Sequence, residues 1–414
     1  MLSSFRSFMK VDRPVRLLIL AEYFLQLINL AFFLILNLYM AKQGYQDEEI
    51  ADFISYRFLA IMVLAIPVGL YIKGRRIRPN FYFSSLVLPA ASMGILYGIE
   101  NNIDSVIYIG FVIWGIAFTT ISVTMLPFVL RNTKEEYHSE AISLHFITFS
   151  AAMFSTGLLI FILNNWLPEV FDERVLLWMI ASISFISFVF VAMIKIPEIV
   201  PKEEDGKRRF FDYDWLPIIK ATVPIFVIAM GAGLTIPFVN LYFYHIFEID
   251  TDMFSLMGTI TALLVVYANF NAPRIRRKFG YIALTYTQTI GIIVLIIMAT
   301  MEFFAHLQLA LWVAVICYIL RQPLMNMSWP LALELAMYYV GKRNQEMLSA
   351  IVSALWSGSW FFSSQLFKIL RAADLSYAII FYITATLLLI GLFLFHLLIK
   401  DYNRTVNPEV EPMK

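Results

Sequence analysis

The run LLILAEYFLQLINLAFFLILNLYMA fills residues 17–41 with a single charge, Glu22. A helix needs about 20 mostly apolar residues to cross the hydrocarbon core of a bilayer. A secretory signal peptide carries an apolar core of only about 7–15 residues and a small-residue cleavage site. The run is too long for that and offers no clear cleavage site, so it reads as a retained first membrane helix. Barrel strands would alternate with period two over about ten residues. The unbroken stretches Leu17 to Leu20 and Phe32 to Leu36 do not alternate.

The pattern recurs along the chain. Further apolar stretches fall at 51–72, 81–99, 105–130, 141–164, 175–194, 216–247, 253–272, 281–301, 307–333, 347–370 and 377–399, each bounded by a short polar loop. The expectation is an all-α membrane protein of 12 transmembrane helices. Composition agrees: 60% of the 414 residues are apolar and 15% are charged, with a mean hydropathy of +0.75. Soluble chains are nearer 45–50% apolar and about 25% charged, which excludes an ordinary soluble enzyme. With 17 Gly, 16 Pro and 1 Cys the chain is neither collagenous, disordered nor a disulfide scaffold. A net charge of +1 argues against a nucleic-acid partner.

Lys and Arg set the expected orientation. A cytoplasmic N-terminus puts nearly all of the 31 basic residues in the loops on that side. The far side then holds only Lys42, Arg174, Lys368 and Arg371, while Arg57 and Arg321 fall within spans. This is a strong positive-inside asymmetry, and with an even number of spans it makes both termini cytoplasmic. The longest loop, 195–215, includes Lys202, Glu203, Glu204, Asp205, Lys207, Arg208 and Arg209 and sits mid-chain. It reads as a solvated cytoplasmic linker between an N-terminal six-helix bundle, 1–194, and a C-terminal six-helix bundle, 216–414.

The two bundles are copies. A shift of 203 residues lays Asn37-Leu38-Tyr39 on Asn240-Leu241-Tyr242, Ala65 on Ala268, the basic loop at Lys73 on that at Arg276, and Pro127 on Pro330, with no gaps. Parallel repeats related by an axis along the membrane normal enclose a midplane cavity, which rocking of the bundles exposes to each side in turn. That architecture is a transporter's. The chain carries no GxxxxGKS/T, HExxH or GxSxG and no metal cluster next to a span, so neither ATP coupling nor catalysis is expected, and no cofactor.

Over its whole length the chain resembles the major facilitator superfamily. The resembling segments are GAGLTIPFVNLYF at 231–243, MLPFVLRN at 125–132 and NMSWP at 326–330. Gly69-Leu-Tyr-Ile-Lys-Gly-Arg-Arg76 stands where the superfamily keeps a glycine–aspartate–arginine–glycine signature. It departs there: Lys73 occupies the acidic position that helps latch the halves, and Gly74 follows it. The proline–glycine signature of drug–proton antiporters in helix 5 is also missing, since Ser155-Thr-Gly-Leu158 keeps one glycine. The resemblance implies the two-bundle fold, a small-molecule substrate, a bilayer location, a monomer and alternating access. A multi-pass protein of the plasma membrane, bacterial inner membrane in type, is expected.

Arg321 is the leading substrate-binding candidate. A mid-membrane Arg costs several kcal/mol unless it faces water or protein with an anionic partner. Helix 10 borders the cavity in superfamily members, so the resemblance implies contact with cargo; a fixed ion pair is the alternative. Arg57 either snorkels or pairs with Asp47, Glu48 or Asp52, or lines the cavity with Arg321, which would make the cargo an anion. Asn37, Asn240, Gln26, Gln322 and Asn326 either touch cargo or bond across the bundle. Glu22 and His145 are the proton-coupling candidates, their alternatives being a pair with Arg13 or Arg16 and ordinary packing. Arg131 and Glu334, equivalent in the repeat, are expected to pair and close the inner gate. Gly231, Gly233 and Pro237 are hinge candidates, or small residues for close packing. Tyr39 and Tyr242 are expected in the interfacial aromatic belt. The resulting expectation is proton-coupled transport of a small anionic or polar solute, with export of amphipathic compounds or lipid as the alternative.

Overall fold

A computed structural model describes residues 11–72, 75–134, 138–195, 213–341 and 344–405. Lys73, Gly74 and the linker's charged run 202–209 lie outside the described residues. Among the described residues the chain is helical and contains no strand. With no water to bond the backbone in hydrocarbon, helices satisfy every amide internally.

The helices are α1 (Arg13–Lys42), α2 (Asp47–Tyr71), α3 (Arg78–Glu100), α4 (Asp104–Arg131), α5 (His138–Trp166) and α6 (Glu173–Ala192). After the linker come α7 (Trp215–Phe247), α8 (Thr251–Phe279), α9 (Ile282–Thr300), α10 (Gln308–Val340), α11 (Gln345–Ala372) and α12 (Tyr377–Thr405). Local signals fix their ends. Pro14 opens α1 without costing a bonded amide. Gln46 and Glu49 cap α2 reciprocally, with Asp47, Glu48 and Glu49 at its positive end. Asp172 caps α6 by accepting the Val175 N–H at 2.8 Å. Gly44, at φ 95°, makes the tight turn between α1 and α2 that a side chain would strain.

Eleven of these helices are long and apolar enough to cross a membrane. The exception is α11, formed where the sequence places the span 347–370. Its serines, among them Ser357, Ser359, Ser363 and Ser364, with Gln365, dilute its apolar character.

Two compact units divide the chain: Met1–Asp205 with Ile249–Thr259, and Gly206–Glu248 with Ile260–Lys414. In the first, α1 packs on α5 and α6, and α3 on α4 and α6. In the second, α7 packs on α11 and α12, and α9 on α10 and α12. The second arrangement is the first moved on by six helices. Both leading helices also break at the same place. A π turn at Phe32–Leu36 interrupts α1 just before Asn37, and a 3-10 turn at Ile236–Phe238 interrupts α7 just before Asn240.

Glycine permits a close helix approach in the first unit. A Cβ on Gly115 of α4 would lie 2.7 Å from the Arg57 carbonyl oxygen and 2.8 Å from the Ala60 Cβ, both on α2. Gly94 of α3 has nothing within 4 Å of its missing Cβ. Gly115→Ala should therefore lower stability by about 1–3 kcal/mol through overpacking. Gly94→Ala should be neutral, or stabilising by up to about 1 kcal/mol through helix propensity. Apparent melting temperatures of the two purified variants in detergent check this.

Candidate functional site

Arg321 lies in α10 and is 3% exposed. Among the described residues it makes no hydrogen bond and no ion pair, and its Nε is sealed from water without an acceptor. One turn earlier Tyr318, also buried, sets its ring 5.5 Å from Phe243 of α7. A guanidinium offers five donors in a rigid fork and keeps its charge. Left without acceptors in a dry interior, such a group is costly. Beside it, Gln322 is half-buried, and exposed Asn326 donates its amide to the Gln322 backbone oxygen at 2.9 Å.

Arg57 of α2 pairs with none of the acids expected for it among the described residues. Its Nη2 donates to Asn29 Oδ1 of α1 at 3.0 Å, and its guanidinium lies 3.9 Å from the ring centroid of Trp114 on α4. Phe58 and Phe118 follow at 5.2 and 5.8 Å. Asn29 is held in turn by its Nδ2 donating to Gln26 Oε1 at 2.8 Å. The acids expected as partners are not: Asp52 accepts the Tyr108 hydroxyl at 2.8 Å, and no carboxylate pairs with Arg57 among the described residues. The Arg57 Nε is buried and unbonded.

Glu22 and His145, separate candidates in the sequence, meet in the structure. His145 Nδ1 lies 2.8 Å from Glu22 Oε2, joining α5 to α1, and the carboxylate is buried. Arg13 and Arg16 are not its partners. One residue along, the Tyr23 hydroxyl donates to Ser155 Oγ at 2.7 Å.

Asn37 and Asn240 are both 2% exposed, immediately after the two helix breaks. Asn240 Oδ1 accepts the Leu241 N–H at 3.0 Å. Pro237 lies inside the α7 break. A Cβ on Gly231 would press on Leu388 of α12, and one on Gly233 would lie 2.8 Å from the Ser363 Cβ of α11. Both glycines thus serve close packing of α7. Arg131 donates to the Arg75 carbonyl at 3.4 Å, while Glu334 takes Arg276 Nε at 2.6 Å within the second unit. Tyr39 and Tyr242 are buried, contrary to the aromatic-belt expectation, and Tyr242 donates to the Met298 carbonyl at 2.7 Å.

One charged cluster escaped sequence reading. Lys42, ending α1, reaches Glu173 Oε1 at 2.7 Å and Asp250 Oδ1 at 2.6 Å. The Thr251 hydroxyl donates to the same Glu173 oxygen at 2.5 Å, and the Thr251 N–H to Asp250 Oδ1 at 2.8 Å. Asp250-Thr251 before an apolar run is a legible helix start, but nothing local points to a lysine about 200 residues away. Burial raises the Asp250 pKa, yet the bonds from Lys42 and Thr251 outweigh it and hold the carboxyl below its ordinary 3.8.

The sequence model of the Major Facilitator Superfamily matches residues 18–364. No curated protein matches the chain. Among solved structures, a bacterial homologue of the iron transporter ferroportin in its inward-facing state aligns with a TM-score of 0.74 and 14% identity, over 93% of this chain and 98% of that one. An auto-inhibited POT family peptide transporter aligns at 0.72 and 12%, over 97% and 99%. The nucleoside transporter NupG aligns at 0.68 and 12%, over 94% and 100%. At such identities the likeness is one of fold.

The Lys42 cluster gives a pH test. A depressed carboxylate stabilises the fold above its unfolded pKa, and this contribution disappears as pH falls through the lower folded value. Lys42→Met should lower stability at pH 7 by roughly 1.5–3 kcal/mol, the worth of hydrogen bonds to a charged group. The deficit should shrink below about pH 3.8, where Asp250 protonates in the unfolded chain. Melting temperatures of the native chain and the variant across pH 3 to 8 check it.

Proposed function

The chain belongs to the Major Facilitator Superfamily, and from that membership we propose that it is a secondary active transporter moving a small anionic or polar solute by alternating access. The observation that carries the anionic reading is Arg321, buried and unpaired among the described residues. A fixed ion pair would have put a carboxylate on it; a cargo anion supplies one only when bound. Relatives by fold are described as a homologue of an iron transporter, a nucleoside transporter and a peptide transporter, so the fold alone does not choose the cargo.

In this reading the driving ion is the proton. The Glu22–His145 pair supports it: a buried carboxylate 2.8 Å from an imidazole holds or releases one proton with little movement. Asn37, Asn240, Gln26, Gln322 and Asn326 are the neutral polar groups that contact cargo in this reading. The repeat and the paired helix breaks support two six-helix bundles, 1–194 and 216–414, joined by the linker 195–215. All twelve helices then cross the membrane, with both termini cytoplasmic. An Arg131–Glu334 contact closing the cytoplasmic mouth requires Glu334 to exchange Arg276 for Arg131 during the cycle. A monomer in a plasma membrane completes the reading.

One observation favours the alternative of amphipathic-compound export. Trp329 on α10 lies 4.6 Å from Trp356 on α11, which lies 6.1 Å from Trp360. Such an indole cluster offers stacking surface to a flat lipophilic cation.

Purified protein in proteoliposomes, acid outside, separates the two. The expected result is pH-gradient-driven accumulation of one or more small organic anions, lost in Arg321→Gln. Glu22→Gln should keep anion exchange but lose accumulation driven by the gradient. Transport of lipophilic cations that survives Arg321→Gln would sink the anion reading and establish the alternative.

A further inference from the structure

The first unit contains a second guanidinium without a carboxylate, and unlike Arg321 it is built into a receptor. Arg57 is fixed on two sides. Its plane rests over Trp114, and one amino group is held by Asn29, itself held by Gln26. Such a fork loses little freedom on binding a ligand. Its remaining donors have no acceptor among the described residues, and Nε is closed to water. The aromatic wall is ordered as well. Phe32 and Phe118 lie nearly parallel to Trp114, at 12° and 13°, with centroids 6.5 and 4.9 Å away. Trp114 and Phe32 are buried, whereas Gln26, Arg57 and Phe118 keep partial exposure. A guanidinium edge, an amide and the last ring of a stack are thus each partly accessible.

We propose that Arg57 is the anchor of a binding subsite for a small organic carboxylate with a flat apolar body. The carboxylate takes the open donors of Arg57, and the flat body continues the stack beyond Phe118. Carboxylate geometry matches the guanidinium fork, and an offset ring against Phe118 adds the usual aromatic preference. The inference concerns equilibrium binding in the first unit and stands whether or not cargo movement is proton-driven.

The test is ligand binding to the purified full chain in detergent, without a membrane or gradient. Benzoate, acetate, inorganic phosphate and benzamide are the probes, and thermal stabilisation with calorimetric Kd is the readout. Benzoate should bind at least about tenfold more tightly than acetate or phosphate, and benzamide should not bind measurably. Arg57→Gln should weaken benzoate by about tenfold or more, as expected for lost charge-assisted hydrogen bonds. Arg57→Lys keeps the charge but not the fork and should fall between. Phe118→Leu, at a partly exposed ring, should reduce the preference for benzoate over acetate, which keeps the test alive if the Arg57 variants do not fold. Equal binding of benzamide, no benzoate binding, or benzoate binding that survives Arg57→Gln and is lost in Arg321→Gln would each overturn the assignment. Anion transport that fails while benzoate still binds through Arg57 would instead count against the carrier reading alone.

Discussion

A guanidinium in the apolar interior of a helical unit must be compensated, because it cannot shed its charge as a carboxyl or amine can. The rest of the architecture follows from how this chain meets that constraint. Four other cations have carboxylate partners. Lys42 has Glu173 and Asp250, Arg174 has Glu100 at 2.7 Å, Arg276 has Glu334, and Lys220 has Asp401. Arg57 and Arg321 are the arginines within spans, and both lack a carboxylate among the described residues. Arg57 is partly compensated by a tryptophan face and an asparagine oxygen. Arg321 receives neither. What sets these two apart is depth: each lies well inside a helix, where a charge without a carboxylate is costly.

The repeat gives this pairing of sites a structural basis. The shift of 203 residues lays Phe118 on Arg321, and Phe118 is the ring 5.8 Å from the Arg57 guanidinium. The two units therefore carry a positive charge at corresponding places by different routes. In one it reaches α4 from α2; in the other it grows from α10, the counterpart of α4. The helix breaks before Asn37 and Asn240 follow the same symmetry. Irregular backbone at membrane depth is tolerated where protein or a water-filled cavity receives it, and broken helices in corresponding positions are the usual pointer to a transporter's binding region.

Much of this was legible in advance. Apolar runs reveal helices because the bilayer imposes one length, and the ungapped repeat anticipated the matching helix packing in the two units. α11 was harder, because its small polar residues lower its hydropathy without stopping it from forming a helix. What sequence could not supply was partners. Glu22 and His145 are 123 positions apart, and Lys42 and Asp250 are 208 apart; such contacts are made by packing, which has no local signature. Arg57 was legible as an anomaly, yet its nearest acids in sequence were the wrong partners. Trp114 and Asn29 are unremarkable in their own helices. Tyr242 looked like a belt residue because a tyrosine near the end of a span usually is one, whereas its hydroxyl finds a carbonyl inside the unit.

The Glu22–His145 pair and the support of Arg57 share one helix face. Glu22, Gln26 and Asn29 are spaced four and then three residues apart on α1, so all three project to the same side. Glu22 carries His145 at one end of this stripe, and Asn29 carries Arg57 at the other. Seven residues of helix separate them by about 10 Å. Across that distance one unit of charge is worth about 1–2 kcal/mol at an effective dielectric of about 20, roughly a tenfold change in affinity. In the reading proposed above, a proton gained by the Glu22–His145 pair makes the stripe more positive, and a more positive stripe holds an anion at Arg57 more tightly. The sign matters: in that reading proton and anion each raise the other's affinity, and by the same factor.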